Sequence, residues 1–365
     1  MRLHTIVLVS AAVLLAGCSS SSGGGGDGDG GARTPAPPTS GPPAEATGKP
    51  RTVASGLEVP WAVAFLPGGD ALVTERDSAR VVRVTPSGKK TTVGTVPGVE
   101  PQSEAGLLGV AVSPSYSTDH LVYLYYTAAS DNRVVRATYD GRLGTPEPIV
   151  TGIPKGPNHD GGRLAFGPDK MLYITTGETG DGPLAQDKGS LAGKILRVTP
   201  DGKPAPGNPF GNRVWTYGHR NVQGLAWDGE GRLYATEFGQ NRFDEINLIQ
   251  KGRNYGWPEV EGDEDGGDGF TKPLLTWTTD EASPSGLAYA DGSLWAAALR
   301  GERLWQVPLD NGKAGRPVAH FENEFGRLRA VVTAPDGTLW VTTSNRDGRG
   351  EPARDDDRIL SVPAG

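Results

Sequence analysis

The chain has 365 residues, 54 of them Gly and 30 Pro, with 36% hydrophobic residues and a formal net charge of -7. That length is ample for a large core, but the glycine and proline load excludes a helical protein. The mild acidity leaves no basic footprint for nucleic acid, and a single cysteine, Cys18, excludes an intramolecular disulfide.

In chain order, Met1-Arg2 supplies a positive start and residues 6–16 an apolar run too short for an ordinary transmembrane helix. The run ends in Leu15-Ala16-Gly17-Cys18, a lipobox pattern, so residues 1–18 are expected to be a lipoprotein signal peptide with diacylglycerol on Cys18. The chain is then exported and lipid-anchored to the outer face of the cell membrane, with no other membrane contact. Residues 19–50 are Gly/Ser/Pro/Ala-rich and cannot bury enough apolar surface to fold, so they read as a disordered tether.

Residues 51–365 carry a loose repeat, a Gly/Asp turn followed by an apolar, aromatic or β-branched strand. Copies are Gly69-Asp70-Ala71-Leu72-Val73, Asp169-Lys170-Met171-Leu172-Tyr173, Gly231-Arg232-Leu233-Tyr234, Asp291-Gly292-Ser293-Leu294-Trp295 and Asp336-Gly337-Thr338-Leu339-Trp340, with a weaker one at Asp119-His120-Leu121-Val122-Tyr123. Spacings of roughly 45–60 residues fit four-stranded blades. Six copies predict an all-β, six-bladed β-propeller of four-stranded antiparallel blades; a β-sandwich offers no reason for such a period. Loops between blades converge on one end of a propeller's channel, so distant residues can meet there.

Three polar, glycine-flanked stretches stand out: Asn158-His159-Asp160-Gly161-Gly162-Arg163, Gly218-His219-Arg220-Asn221-Val222-Gln223-Gly224, and Asp244-Glu245-Ile246-Asn247 with Asn254-Tyr255-Gly256-Trp257-Pro258. Such groups are costly to bury unless they bind something polar. His159 can act as a general base near neutral pH, or simply hold its loop; His219 carries the same two readings. Arg220 is a permanent cation suited to developing negative charge, and Asn221 and Gln223 can orient a planar, oxygen-rich ligand. Gly239 can present a carbonyl to a hard cation, and the acidic pair Asp244 and Glu245 suits calcium. Arg327 and Arg329 lie on one face of an extended segment and suit a polycarboxylate, with Arg300 a further candidate cation. No zinc spacing, nucleophile elbow or phosphate loop is present.

As an ordered set these residues closely resemble the soluble aldose (glucose/sorbosone) dehydrogenases that use pyrroloquinoline quinone. The set also includes Pro60-Trp61-Ala62-Val63, Gly106-Leu107-Leu108-Gly109, Ala192-Gly193-Lys194-Ile195-Leu196-Arg197, Pro284-Ser285-Gly286 and Arg327-Leu328-Arg329, and the likeness covers about residues 53–362. The resemblance implies a six-bladed propeller with the quinone at the channel mouth and a calcium ion beside it. It implies that His159 takes the proton from the sugar C1 hydroxyl while hydride passes to the quinone, giving the lactone, and that Arg220 stabilises the resulting oxygen charge. Asn221 and Gln223 would help hold cofactor and metal; Arg327 and Arg329 would clamp the cofactor carboxylates, with Arg300 alongside. Main-chain carbonyls of Gly239 and Gln240 match the calcium position, and Asp244, Glu245 and Tyr255 a further calcium site. Glu104 stands where the glucose enzyme has glutamine near the sugar and Glu178 where it has aspartate, so both are candidate substrate contacts; Asn158 also stands where it has aspartate, and Gln240 where it has proline. With shorter loops as well, the implied substrate is a broader class of aldose, with an unidentified electron acceptor. Two other classes are carried: a non-redox propeller binding a sugar or a protein, which should have lost the base or the clamp, and a calcium-dependent lactonase, which needs a side-chain cage for its metal.

Overall fold

The computed structural model describes residues 48–264 and 269–365. The predicted signal peptide, Cys18 and most of the tether lie outside the described residues. Strands dominate; the described helical pieces are one turn of α-helix, Tyr116–Asp119, and one of 3-10 helix, Gly182–Ala185. Among the described residues no helix is long and apolar enough to cross a membrane.

The strands form six antiparallel sheets, and the protein is a six-bladed β-propeller. One blade shows why. Pro60–Phe65 is a continuous apolar run and Ala71–Glu75 is buried throughout, as strands inside a ring of packed blades should be, and the two are joined by Leu66-Pro67-Gly68-Gly69-Asp70. There the Gly69 N–H donates to Leu66 O at 2.9 Å with φ +88, a backbone that glycine adopts without strain. Arg80–Val84 and Lys90–Thr95 then add strands outward. The repeats read from the sequence are the second strands of the blades: Ala71–Glu75, Leu121–Thr127, Leu172–Thr175, Leu233–Glu237, Ser293–Ala298 and Leu339–Thr343. Their Leu72, Leu172, Leu294 and Leu339 are buried, as are Tyr123, Tyr234 and Trp295, and each such large side chain contributes roughly 1.5–3 kcal/mol.

The first strands, Pro60–Phe65, Leu107–Val112, Leu164–Phe166, Val222–Trp227, Pro284–Ala290 and Leu328–Thr333, line a central channel. Five of the six shift register near their starts, at Pro60/Ala62, Leu107/Val110, Val222/Gly224, Pro284/Leu287 and Leu328/Val331. A bulge re-aims the side chains beside it, and Trp61, Gln223, Ser285 and Arg329 all sit in these bulges. The last blade is closed by both ends of the domain: Arg51–Ala54 pairs antiparallel with Ile359–Val362.

Candidate active site

At the channel mouth a cavity of about 880 Å³ is lined by Asn158, His159, Glu178, Arg220, Gln240, Trp257 and Glu261, among others. Its shape depends on close backbone packing. A Cβ on Gly177 would stand 1.8 Å from the His159 carbonyl oxygen, so the segment that follows strand Leu172–Thr175 beneath His159 admits only glycine there.

His159 itself has φ 60 and turns its ring toward Glu178, a buried side chain. Nδ1 lies 2.5 Å from Glu178 Oε1; with a carboxylate as acceptor, Nδ1 carries the proton and Nε2 is left as the basic nitrogen. Glu104 accepts the His159 backbone N–H at 3.1 Å and pairs with Arg349 at 2.9 Å. Burial works against the Glu104 charge, but the His159 N–H and the Arg349 guanidinium outweigh it and hold the carboxyl below its ordinary range. Glu104 and Glu178 are thus both engaged with the histidine loop, Glu178 with the imidazole itself.

Arg220 lies over the Trp257 ring at 5.4 Å and donates to Gly239 O at 2.7 Å and Phe238 O at 3.3 Å. Burial lowers its guanidinium below the usual range, opposed first by the charge of Glu178. Its backbone is fixed by Glu237, which accepts the Arg220 N–H at 2.5 Å and the His219 Nδ1–H at 2.8 Å. His219 is fully buried, bonded through Nε2 to Thr216 Oγ1 at 2.9 Å and stacked on Tyr255 at 4.6 Å. It braces the loop, the second of the two readings.

Asn221 accepts the Gly161 N–H at 3.1 Å, while its buried Nδ2 has no partner among the described residues; Arg220 Nε and Glu178 Oε2 are likewise unpartnered. Gln223 Oε1 accepts from Ser285 Oγ at 2.9 Å and Arg329 Nη1 at 3.1 Å. Arg327 and Arg329 are buried together: Arg327 places Nε and Nη2 on Asp347 Oδ2 at 3.1 and 3.0 Å, and Arg329 Nη2 lies 3.7 Å away. Burial opposes the Asp347 charge, but Arg329 and Arg327 hold its carboxyl below the ordinary range. Arg300 is apart from this group, exposed and paired with Asp280 at 2.6 Å.

The positions expected to hold calcium divide. Gly239 O faces the mouth but accepts the Arg220 guanidinium, so an ion there would replace that bond. A Cβ on Gly239 would meet Phe243 O at 1.7 Å, and the Gln240 N–H donates to Glu261 at 2.8 Å, so this loop is tightly set. Asp244 and Glu245, adjacent on a strand, face opposite ways. Asp244 accepts from Gly239 N and Ser283 N; Glu245 accepts from Gly262 N and Asn247 Nδ2. Burial pushes Asp244 up to about 6, and burial with neighbouring Glu237 pushes Glu245 up to about 8. The Tyr255 hydroxyl already donates to Leu248 O at 2.7 Å and accepts from Gln250 N. These three side chains do not converge. Among the described residues no group of three or more His, Cys, Asp or Glu side chains is arranged for a metal, so an ion at the mouth would rely on main-chain oxygens.

Sequence reading gave no role to Glu237, Asp347 or Arg163. Asp347 carried a signal in hindsight, an acid in the polar run Ser344-Asn345-Arg346-Asp347-Gly348-Arg349, shortly after the arginine pair.

Comparison with known proteins adds an independent result. A family model described as Glucose / Sorbosone dehydrogenase matches residues 57–351. The structure of the PQQ-bound form of an aldose sugar dehydrogenase from Streptomyces coelicolor superposes with a TM-score of 0.85 at 58% identity, covering 87% of this chain and 99% of that one. Aldose sugar dehydrogenase YliI of Escherichia coli (strain K12) is 31% identical over 332 residues, 80% of this chain and 89% of that protein. Quinoprotein glucose dehydrogenase B of Acinetobacter calcoaceticus is 34% identical over 254 residues, 59% of this chain and 53% of that protein.

Proposed function

The chain belongs to the glucose/sorbosone dehydrogenase family, and from that premise we propose that it oxidises an aldose at C1 to the lactone, with pyrroloquinoline quinone as cofactor and calcium beside it. Its class is that of the quinone-dependent sugar dehydrogenases. The observation that carries the reading is the meeting of a carboxylate-bound histidine with the buried, partly unpartnered Arg220 at one mouth, with the unpartnered amide of Asn221 next to it in the chain.

The quinone, when bound, supplies a two-electron acceptor for the C1 hydride. The protein's part is position and electrostatics. Glu178 fixes the His159 tautomer, so Nε2 removes the C1 hydroxyl proton and the carboxylate steadies the imidazolium that results. Arg220, held by Glu237 and Trp257, presents a fixed positive charge to oxygen that becomes negative. Asn221 Nδ2 offers a free donor to a planar ligand, and Arg327 and Arg329 suit its carboxylates. Gly239 and Gln240 carbonyls would hold the calcium, with Arg220 released from Gly239 O. Glu104 borders the sugar side.

The lipobox supports export and lipidation at Cys18, and Cys18→Ser is expected to move the protein from the membrane fraction to the soluble one. The function is tested by loading the full chain with pyrroloquinoline quinone and calcium and following dye reduction with a panel of aldoses. Sugar-dependent reduction that requires the quinone and falls about 10²–10⁴-fold in His159→Ala is expected. Quinone binding without turnover of any aldose would sink the substrate assignment; no quinone binding would sink the whole reading.

A further inference from the structure

The turn that carries Gly239 and Gln240 joins strand Leu233–Glu237 to strand Phe243–Ile249. Consecutive N–H groups along it are held by two carboxylates. The Gly239 N–H donates to Asp244 Oδ1 at 2.9 Å. The next four, from Gln240, Asn241, Arg242 and Phe243, all donate to Glu261 Oε1, at 2.8, 3.0, 2.9 and 3.1 Å. Successive N–H groups converging in this way form a nest for an anion, and here the chain fills the nest with its own side chain.

Glu261 is aimed at the nest by its neighbours. The Glu259 and Val260 N–H groups donate to Gly256 O at 2.8 and 3.1 Å, and the Gly262 N–H donates to Glu245 Oε1 at 2.8 Å. A Cβ on Gly262 would stand 2.5 Å from the Phe243 ring, so the two segments meet closely. The Glu261 side chain is half-buried and lines the mouth cavity.

A trans peptide is planar, so its C=O points opposite to its N–H. The Gln240 N–H shares a peptide with Gly239 O, and the Asn241 N–H shares one with Gln240 O. Turning both N–H groups onto Glu261 therefore turns both oxygens away from it. Gly239 O shows the result, since it meets Arg220 Nη1 at 2.7 Å on the mouth side. The peptide held by Asp244 behaves alike, with Phe238 O at 3.3 Å from the same nitrogen.

We infer that Glu261 is a positioning residue for the calcium site, acting through the main chain by fixing the peptides that present the Gly239 and Gln240 carbonyls to the mouth. This rests on the reading that calcium binds those two oxygens. With the acceptor removed, the peptide planes are free to turn, and the ion has to order them as it binds. That ordering opposes binding.

The test compares the full-length wild type with Glu261→Gln, which keeps an acceptor and loses the charge, and Glu261→Ala, which loses both. Calcium is titrated into each chain saturated with pyrroloquinoline quinone, and binding is read by calorimetry. Glu261→Ala should weaken calcium about 10–100-fold, as loss of a residue that orients metal ligands does. Glu261→Gln should weaken it by no more than about fivefold, the scale of one half-exposed charge. Hydrogen exchange of amides 240–243 in the cofactor-free chain is a readout independent of any ligand. It should be about tenfold faster in Glu261→Ala and near wild type in Glu261→Gln. If Glu261→Ala does not fold, Glu261→Ser carries the same expectation. Equal losses of calcium affinity in the Gln and Ala variants would reduce Glu261 to a nearby charge and overturn the inference. Unchanged affinity in Glu261→Ala, even with faster exchange, would reduce it to a turn acceptor and overturn it as well. A wild type that takes up quinone but no calcium sinks this inference alone; one that takes up no quinone sinks the proposed function and this inference with it.

Discussion

At the scale of single residues, the Glu178 carboxylate decides what His159 can do. A loop histidine without an acid on Nδ1 exchanges tautomers freely; with Glu178 Oε1 at 2.5 Å it does not. Glu178→Gln keeps the shape and removes the charge, so it should lower kcat by about 10–100-fold while KM changes little, as steady-state dye reduction would reveal. A variant with unchanged kcat and raised KM would instead make Glu178 a sugar contact, the role its position in the sequence suggested. His159 itself was legible because glycines surround it. Its partner was not, because Glu178 lies 19 residues on, in a loop after the next two strands, and only the hairpin those strands form brings the two together. Asp160 allows a second test. Its Oδ1 accepts from Asn132 Nδ2 and Gly156 N, but Oδ2 is buried without a partner, and burial pushes the carboxyl up to about 6 from 3.8. Between those values the folded state binds more protons than the unfolded, so this residue's contribution to stability falls as pH rises from about 4 to 6. Asp160→Asn should therefore be more stable than the wild type above pH 6, by on the order of 2 kcal/mol, with the difference fading near pH 4 in paired melting curves.

At the scale of elements, the bulges at the starts of the inner strands matter most. Alternation alone would send Gln223, Ser285 and Arg329 toward faces fixed by their strands; the register shifts gather them into one polar layer at the top of the channel. Polar residues at strand starts were readable, bulges were not, since they depend on how neighbouring blades pack. The same limit hid Asp347, whose loop between the last two strands of the closing blade folds back under Arg327 and Arg329, while Arg349 reaches Glu104. Asp347→Asn leaves two buried guanidinium groups without their acid. Breaking a buried pair in this way costs about 3–5 kcal/mol, so the cofactor-free midpoint should drop. An anionic ligand would then meet unpaired arginines, so the increase in midpoint on adding quinone should exceed that of the wild type. Equal increases would mean that Arg327 and Arg329 do not face the cofactor carboxylates. Arg300, read from sequence alongside them, is exposed and paired with Asp280, so Arg300→Gln should change that increment least.

At the scale of the whole molecule, the ring has to close, and it does so with chain from both ends. The six-fold repeat was legible because each copy keeps its turn and apolar strand, and every copy proved to be the second strand of a blade. The closure carries no such mark: Arg51-Thr52-Val53-Ala54 is four residues beside a Gly/Pro-rich stretch, and its partner Ile359–Val362 lies about 300 residues away. Val53, Ala54 and Leu57 are nonetheless buried in the core shared with Trp340 and Ile359. Removing residues 1–47 takes nothing from this pairing, so the midpoint and the fold's circular dichroism should match the full chain's. Removing residues 1–54 strips the outer strand, uncovers Ile359–Val362 as an open edge and exposes apolar area worth on the order of 3 kcal/mol. The shorter chain should melt several degrees lower and associate with rising concentration, which light scattering would report. Identical melting of the two truncations would mean that the last blade stands on three strands, and that the fold does not depend on joining its ends.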